Sequence, residues 1–341
     1  MRTNTALIRE RNFEPASVST QADGKLVLVG DVGATNARFR LAPWPQAGAA
    51  VQWASDLLVL PTRGYTAGAR LLADAYAQLA SPSLGACVIA AAGPVSTDGV
   101  RLSVVNTELL FEQGVIAEQL GVRPTLYNDF YAQARAIPHL QQLLQVGGDA
   151  TASGVRAILG AGSVLGMATL VPSAPRQWLV LPSEGGHANL APGSFLEAEL
   201  WSVLAQEHAH VSWETVLCGP GIVNLYRAMA SIWGAQPAHE RAEDVVTQGL
   251  ASDPLCHQTL ETFAGLLGAA AGNLALTVGA RGGVYISGGI PPQLAEFLPS
   301  SPLRRRFEER GDLSAYAQAI PLYLVMDEQP GLLGALYSLS D

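Results

Sequence analysis

Asp129 stands at the carboxyl end of the short apolar run Thr125-Leu-Tyr, between Asn128 and Phe130. A carboxylate in that position can accept a proton from a ligand hydroxyl, because α/β sheets place their ligands at the carboxyl ends of strands. The residues that follow read as a helix through Ala132–Ile137, so Asp129 equally suits a helix cap. The two roles are compatible. A second carboxylate and an imidazole flank a glycine pair in Pro182-Ser-Glu184-Gly185-Gly186-His187. Such a pair suits sugar hydroxyls, since a carboxylate accepts from vicinal OH groups and a neutral imidazole donates or accepts. Neither HExxH nor a cysteine cluster accompanies His187, which argues against metal ligation. Glu214, in His210-Val-Ser-Trp-Glu214, offers another carboxylate, although alone it reads as solvated surface.

Three glycine-bearing turns follow apolar strands. The first, in Leu26-Val-Leu-Val-Gly30-Asp31-Val-Gly33-Ala34-Thr35-Asn36, joins two strands as a hairpin. Gly33 lets backbone N–H groups approach an oxyanion, Thr35 and Asn36 add neutral donors, and Asp31 can hold a hydrated Mg²⁺ beside phosphates. The second is Gly160-Ala-Gly162-Ser163-Val164-Leu-Gly166, again between two strands, and the third is Gly288-Gly289 after Gly283-Val-Tyr-Ile-Ser. Together they suggest three contacts to one polyanionic ligand. The only lysine, Lys25, precedes the first strand, so a GxxxxGK[ST] phosphate loop is absent.

The elements that must position these residues form a repeated pattern. After the hairpin come a strand within Val51–Leu60, a helix over Ala67–Leu79, a strand over Gly85–Ala92 and a helix over Thr107–Leu120. The strand–turn–strand unit then recurs at Arg156–Leu170, which suggests an internal duplication and two α/β halves facing a cleft. Helices over Ser194–His208, Gly221–Trp233 and His257–Val278 precede a last strand at Ile320–Met326 and a helix opening at Pro330-Gly331.

Composition narrows the partners. A chain of 341 residues with 49% hydrophobic and 14% charged content supports two ordinary domains with ample core. A net charge of −9 argues against nucleic acid or an anionic membrane and for a small-molecule partner. Residues 1–23 carry charges without the apolar run of a secretory signal, so a cytoplasmic location is expected. The apolar stretch Leu266–Ala280 is interrupted by Asn273 and Thr277 and reads as a buried helix. Cys87, Cys218 and Cys256 lack metal-ligand spacing and read as reduced packing residues.

In order, these segments resemble the bacterial glucokinase family, ATP-dependent hexokinases of the acetate and sugar kinase, Hsp70 and actin superfamily. The match runs from about Lys25 to Gly334. It is most specific at Asp31-Val-Gly-Ala-Thr-Asn-Ala-Arg38, Asn128-Asp129-Phe130, Glu184-Gly-Gly-His187, Val216–Tyr226, Gly282–Gly289 and Pro330–Ala335. The resemblance implies a two-lobed, duplicated ribonuclease-H-like (actin-like ATPase) α/β fold. Its small domain would take residues 24–138 and 327–341, its large domain 139–326, with 1–23 as an extension. It further implies ATP-dependent phosphorylation of the 6-hydroxyl of glucose or a related hexose, with Asp129 as general base. Asn128, Glu184, His187 and Glu214 would hold the other hydroxyls. Asp31 would sit near Mg²⁺, Gly33, Thr35, Gly162, Ser163 and Gly166 would line the phosphate path, and Gly288 and Gly289 would match the adenosine-side turn. A homodimer is implied, and no zinc, since Ala188-Asn-Leu-Ala-Pro192 replaces the cysteine-rich motif of the related ROK kinases.

The departures fall in the phosphate turns. Ala34 replaces the second glycine of the usual DxGGTN, and Val164 stands in the usual GxGTGLG. Either side chain is unfavourable if its φ is positive, and the methyls of Val164 would obstruct the phosphates. That motivates a rival expectation: a hexose-binding sensor or regulator with weak or absent transfer, in which restoring glycine would raise activity. Near the sugar site, Val105 and Leu109 also depart from the polar-aromatic pattern expected around Asn106.

Overall fold

The computed structural model describes residues 25–46, 50–175 and 177–340. The extension over 1–23 lies outside them. Chain order in the first half is β1 (Leu26–Val32), β2 (Asn36–Ala42), β3 (Leu58–Pro61), α1 (Gly68–Gln78), β4 (Leu84–Ala91), β5 (Arg101–Ser103), β6 (Leu110–Glu112), α2 (Gln113–Leu120), β7 (Pro124–Asn128) and α3 (Asp129–Ala136). The second half runs β8 (Leu143–Gln145), β9 (Arg156–Ala161), β10 (Leu165–Ala174), β11 (Gln177–Ser183), α4 (Phe195–Glu207), α5 (Gly219–Trp233), α6 (Ala242–Leu250), α7 (Pro254–Val278), β12 (Val284–Ser287), α8 (Leu303–Glu308), α9 (Ser314–Ala319), β13 (Leu322–Val325) and α10 (Pro330–Tyr337).

The two main sheets share one topology. Strand order is β3-β2-β1-β4-β7 in the first and β11-β10-β9-β12-β13-β8 in the second. In each, a three-stranded antiparallel meander continues into two parallel strands, β4 and β7 beside β1 and β12 and β13 beside β9. The duplication is therefore present as topology. The central strands β1, β4, β9 and β12 are apolar on both faces because helices cover both sides of each sheet.

Two elements differ from the periodicity reading. The helix expected over Thr107–Leu120 begins only at Gln113, and Leu110–Glu112 pairs with β5 as strand β6. Fully buried Phe111 sets an in-out alternation there that overrides helical spacing. Of the strand expected over Val51–Leu60, only Leu58 onward joins the sheet. Upstream, the Ser55 hydroxyl accepts the Leu41 N–H, a side-chain bond standing where a ladder bond would be.

One pair of helices ties the halves together. Ala132 of α3 packs with Leu332, Ala335 and Leu336 of α10 over the first sheet, while Phe130, Ala134 and Ile137 pack on Ile158, Ala168 and Leu170 of the second. The approach of α3 to α10 is so close that a Cβ on Gly334 would fall 1.6 Å from the Ala132 carbonyl oxygen. The long helix α7 has the length and apolar content of a membrane span, but 67% of its apolar window is buried inside the molecule, as a core helix requires.

Candidate active site

Strand β7 ends and α3 begins between Asn128 and Asp129, and that junction is the floor of a cavity of about 250 Å³ between the two sheets. Helix capping falls mainly to Asn128, whose Oδ1 accepts the N–H groups of Phe130 (2.9 Å) and Tyr131 (3.3 Å). Its Nδ2 donates to the Gly93 carbonyl at 3.2 Å, leaving the other amide hydrogen for a ligand. Asp129 Oδ1 accepts from Phe130 N at 3.0 Å, so one carboxylate oxygen is held and the other stays available. Burial, reinforced by the charge of Asp31, pushes the Asp129 carboxyl up to about 7, against the backbone hydrogen bond from Phe130. A carboxyl in that range is half ionised near neutrality and suited to taking a proton.

The opposite wall comes from the turn after β11. Glu184, Gly185, Gly186 and His187 form a single 3-10 turn, closed by His187 N–H to Glu184 O at 3.0 Å and held by His210 Nε2 against the His187 carbonyl at 2.8 Å. Glu184 and His187 are exposed to the cavity, and no side-chain hydrogen bond to Glu184 occurs among the described residues. Glu214 is not the solvated surface residue its local sequence suggests. Its Oε2 accepts Leu165 N–H at 2.9 Å, and its Oε1 lies 3.9 Å from His187 Nε2. The fold thus brings Asn128, Asp129, Glu184, His187 and Glu214 to one cavity. Val105 and Asn106 line it too, Asn106 with a φ of +59° that asparagine tolerates better than most residues.

The glycine turns divide between two places. Gly162, Ser163 and Gly289 line a second cavity of about 810 Å³, completed by residues of α5 and α6. Gly288, at φ +102°, redirects the chain so that Ile290 N–H reaches the Ala161 carbonyl. Gly166, expected on the phosphate path, lies instead on the smaller cavity, where a Cβ would come within 1.9 Å of the Phe130 ring. Asp31, Gly33, Thr35 and Asn36 line neither cavity. Their turn is closed by Gly33 N–H to Asn36 O at 3.0 Å, and Thr62 anchors it through its N–H to Thr35 O and its hydroxyl to Ala34 O. Burial pushes Asp31 up to about 6, opposed by the Arg38 guanidinium. Ala34 and Val164 are absent from the residues with positive φ, so neither departure strains its turn.

A glucokinase family model matches residues 28–341 of the chain. A glucokinase of Chromobacterium violaceum is 40% identical over 319 residues, covering 92% of this chain and 89% of its own. The chain belongs to the glucokinase family. Among solved structures, the glucokinase of an Antarctic psychrotroph superposes with a TM-score of 0.81 at 33% identity, over 93% of this chain and 99% of that one. The glucokinase of Balamuthia mandrillaris, solved in complex with glucose, shares the fold at a TM-score of 0.76 and 22% identity, over 93% and 94% of the two chains.

Sequence reasoning missed wall residues on α5 and at the start of α6 that line the larger cavity, Arg227, Arg241 and Glu243 among them. No motif marks them, because they converge only through helix packing. Cys218 does more than pack: its Sγ accepts Gly221 N–H at 3.3 Å and so caps α5 beside that cavity. All three cysteines are free and buried.

Proposed function

We propose that this protein transfers the γ-phosphoryl group of ATP to the 6-hydroxyl of glucose or a closely related hexose. Family membership supports the reaction class, and the convergence of Asn128, Glu184, His187 and Glu214 around Asp129 carries the assignment of the acceptor site. Asp129 is the general base: its free oxygen accepts the hydroxyl proton as the sugar oxygen bonds to phosphorus and the bond to the leaving ADP oxygen breaks. Glu184 accepts from sugar hydroxyls, and Asn128 donates its spare amide hydrogen. Glu214, fixed by Leu165, orients His187 toward the remaining hydroxyls. The backbone around Gly162, Ser163 and Gly289 borders the donor's phosphates.

Asp31 fits a hard divalent cation. It is half-buried, accepts no hydrogen bond among the described residues, and retains a carboxylate that burial alone disfavours. No cluster of three or more His, Cys, Asp or Glu ligands occurs among the described residues, so Mg²⁺ would be held chiefly by Asp31, water and the donor's phosphates. When bound, it neutralises phosphate charge.

The sensor reading is not favoured, because the chain belongs to the glucokinase family and the backbone at Ala34 and Val164 is unstrained. A coupled assay of ADP formation across a panel of hexoses and phosphate donors tests the proposal. Glucose-dependent ADP release with ATP supports it; tight glucose binding by calorimetry without turnover overturns it in favour of a sensor.

A further inference from the structure

The proposed reaction leaves charged groups of the larger cavity without a task, and Arg38 differs from the others in its place in the fold. Arg38 lies on β2 directly opposite Asp31 in the β1–β2 ladder, so both side chains leave the same face of the first sheet. It is also the one residue of the first half, among the described residues, in the wall of the larger cavity; the rest of that wall comes from residues 162–163, 219–246 and 289–294. Arg38 therefore reaches from one lobe to a pocket otherwise built by the other.

Its surroundings show what it lacks. Arg38 is a half-buried residue, and among the described residues no hydrogen bond or ion pair engages its guanidinium. Asp31 feels its charge without bonding to it. The other arginines of the same wall are better solvated: Arg241 pairs with Glu243 at 3.4 Å, and Arg227 is exposed on α5. Drawing a cation partly out of water with no protein acceptor costs free energy that a bound anion recovers. The facing wall offers Gly162, Ser163 and Gly289, whose backbone suits phosphate. A guanidinium's planar fork matches two phosphate oxygens at once, which an ammonium cannot do.

We propose that Arg38 is a catalytic residue, binding the terminal phosphates of the donor from the first lobe and stabilising the charge on the phosphoryl group in transit. This rests on the phosphotransfer reading above. It also gives the donor a contact on both lobes, so that donor binding favours the closed cleft.

The test compares wild type, Arg38→Ala and Arg38→Lys in steady-state kinetics with ATP and glucose varied separately, beside calorimetry with glucose alone. For Arg38→Ala, kcat should fall about 10²-fold, KM for ATP should rise, and glucose affinity should hold; added guanidinium at millimolar concentration should restore part of the rate. Arg38→Lys should recover only part of the loss and not respond to guanidinium. An Arg38→Ala enzyme with kcat and ATP KM near wild type overturns the proposal. So does a loss that guanidinium leaves untouched and Asp31→Asn relieves, since Arg38 would then be only a counter-ion. If Arg38→Ala does not fold, Arg38→Lys with an unchanged ATP KM overturns it as well. A wild-type protein that makes no sugar phosphate from ATP and glucose sinks the underlying reaction instead.

Discussion

Asp129 is held where its carboxyl titrates near neutrality, because burial and the neighbouring charge of Asp31 both penalise the ionised form. The proposed base works only when deprotonated, so kcat/KM should fall as pH drops through about 7, with the acid limb visible in a pH–rate profile. Asp129→Asn should lower kcat roughly 10³-fold and abolish that limb, while glucose affinity by calorimetry stays close to wild type. Stability should move the other way. A carboxyl whose folded value lies above its unfolded one binds more protons when folded, so its contribution declines as pH rises from about 4 to about 7. The neutral amide carries no such penalty, and at pH 8 the melting temperature of Asp129→Asn should equal or exceed that of wild type. The sequence made Asp129 legible as a candidate base through its place at a strand's end. It could not separate base from cap, because only the folded turn shows Asn128 taking both helix N–H groups.

Between residue and fold, the turn that carries Gly166 acts as the bearing surface for Phe130, the first residue after the proposed base. A methyl group at position 166 has no room against that ring. Gly166→Ala should therefore shift Phe130 and the cavity floor, raising the glucose KM several-fold with little change in the ATP KM, and destabilising the fold by about 1–3 kcal/mol of overpacking. Ala34 and Val164 behave differently. Their backbone lies outside the left-handed region, so Ala34→Gly and Val164→Gly should leave kcat within about twofold of wild type while lowering stability slightly through added unfolded-state entropy. A large gain in steady-state rate would revive the idea of obstructed phosphate turns. Motif spelling showed where these turns lie but not their φ, which is why the departures looked more serious than they are. In the same way, Leu110–Glu112 carried a helical spacing that buried Phe111 decides in favour of a strand.

At the scale of the molecule, the duplicated topology was legible because the strand–glycine–strand unit recurs in the sequence, whereas the helix-built wall of the larger cavity was not, since only packing shows that one face of α5 and the start of α6 turn toward the same space. Neither half stands alone around the site. Helix α3 begins at the proposed base, packs one side on α10 and the first sheet, and packs the other on the second sheet. Any change in lobe angle must therefore be accommodated along the α3–α10 contact, and Asp129 sits at its cleft end. Packed helices adjust by small sliding steps, so the closeness allowed by Gly334 sets how the two helices move past each other. If glucose draws Glu184 and His187 toward Asp129, small-angle scattering should show a smaller radius of gyration with glucose than without. Gly334→Ala forces α10 away from the Ala132 carbonyl. It should weaken that glucose-dependent compaction and lower kcat, in addition to costing roughly 1–3 kcal/mol of stability. An unchanged scattering response in a folded Gly334→Ala protein would place the hinge elsewhere, leaving the α3–α10 contact as a fixed strut between lobes.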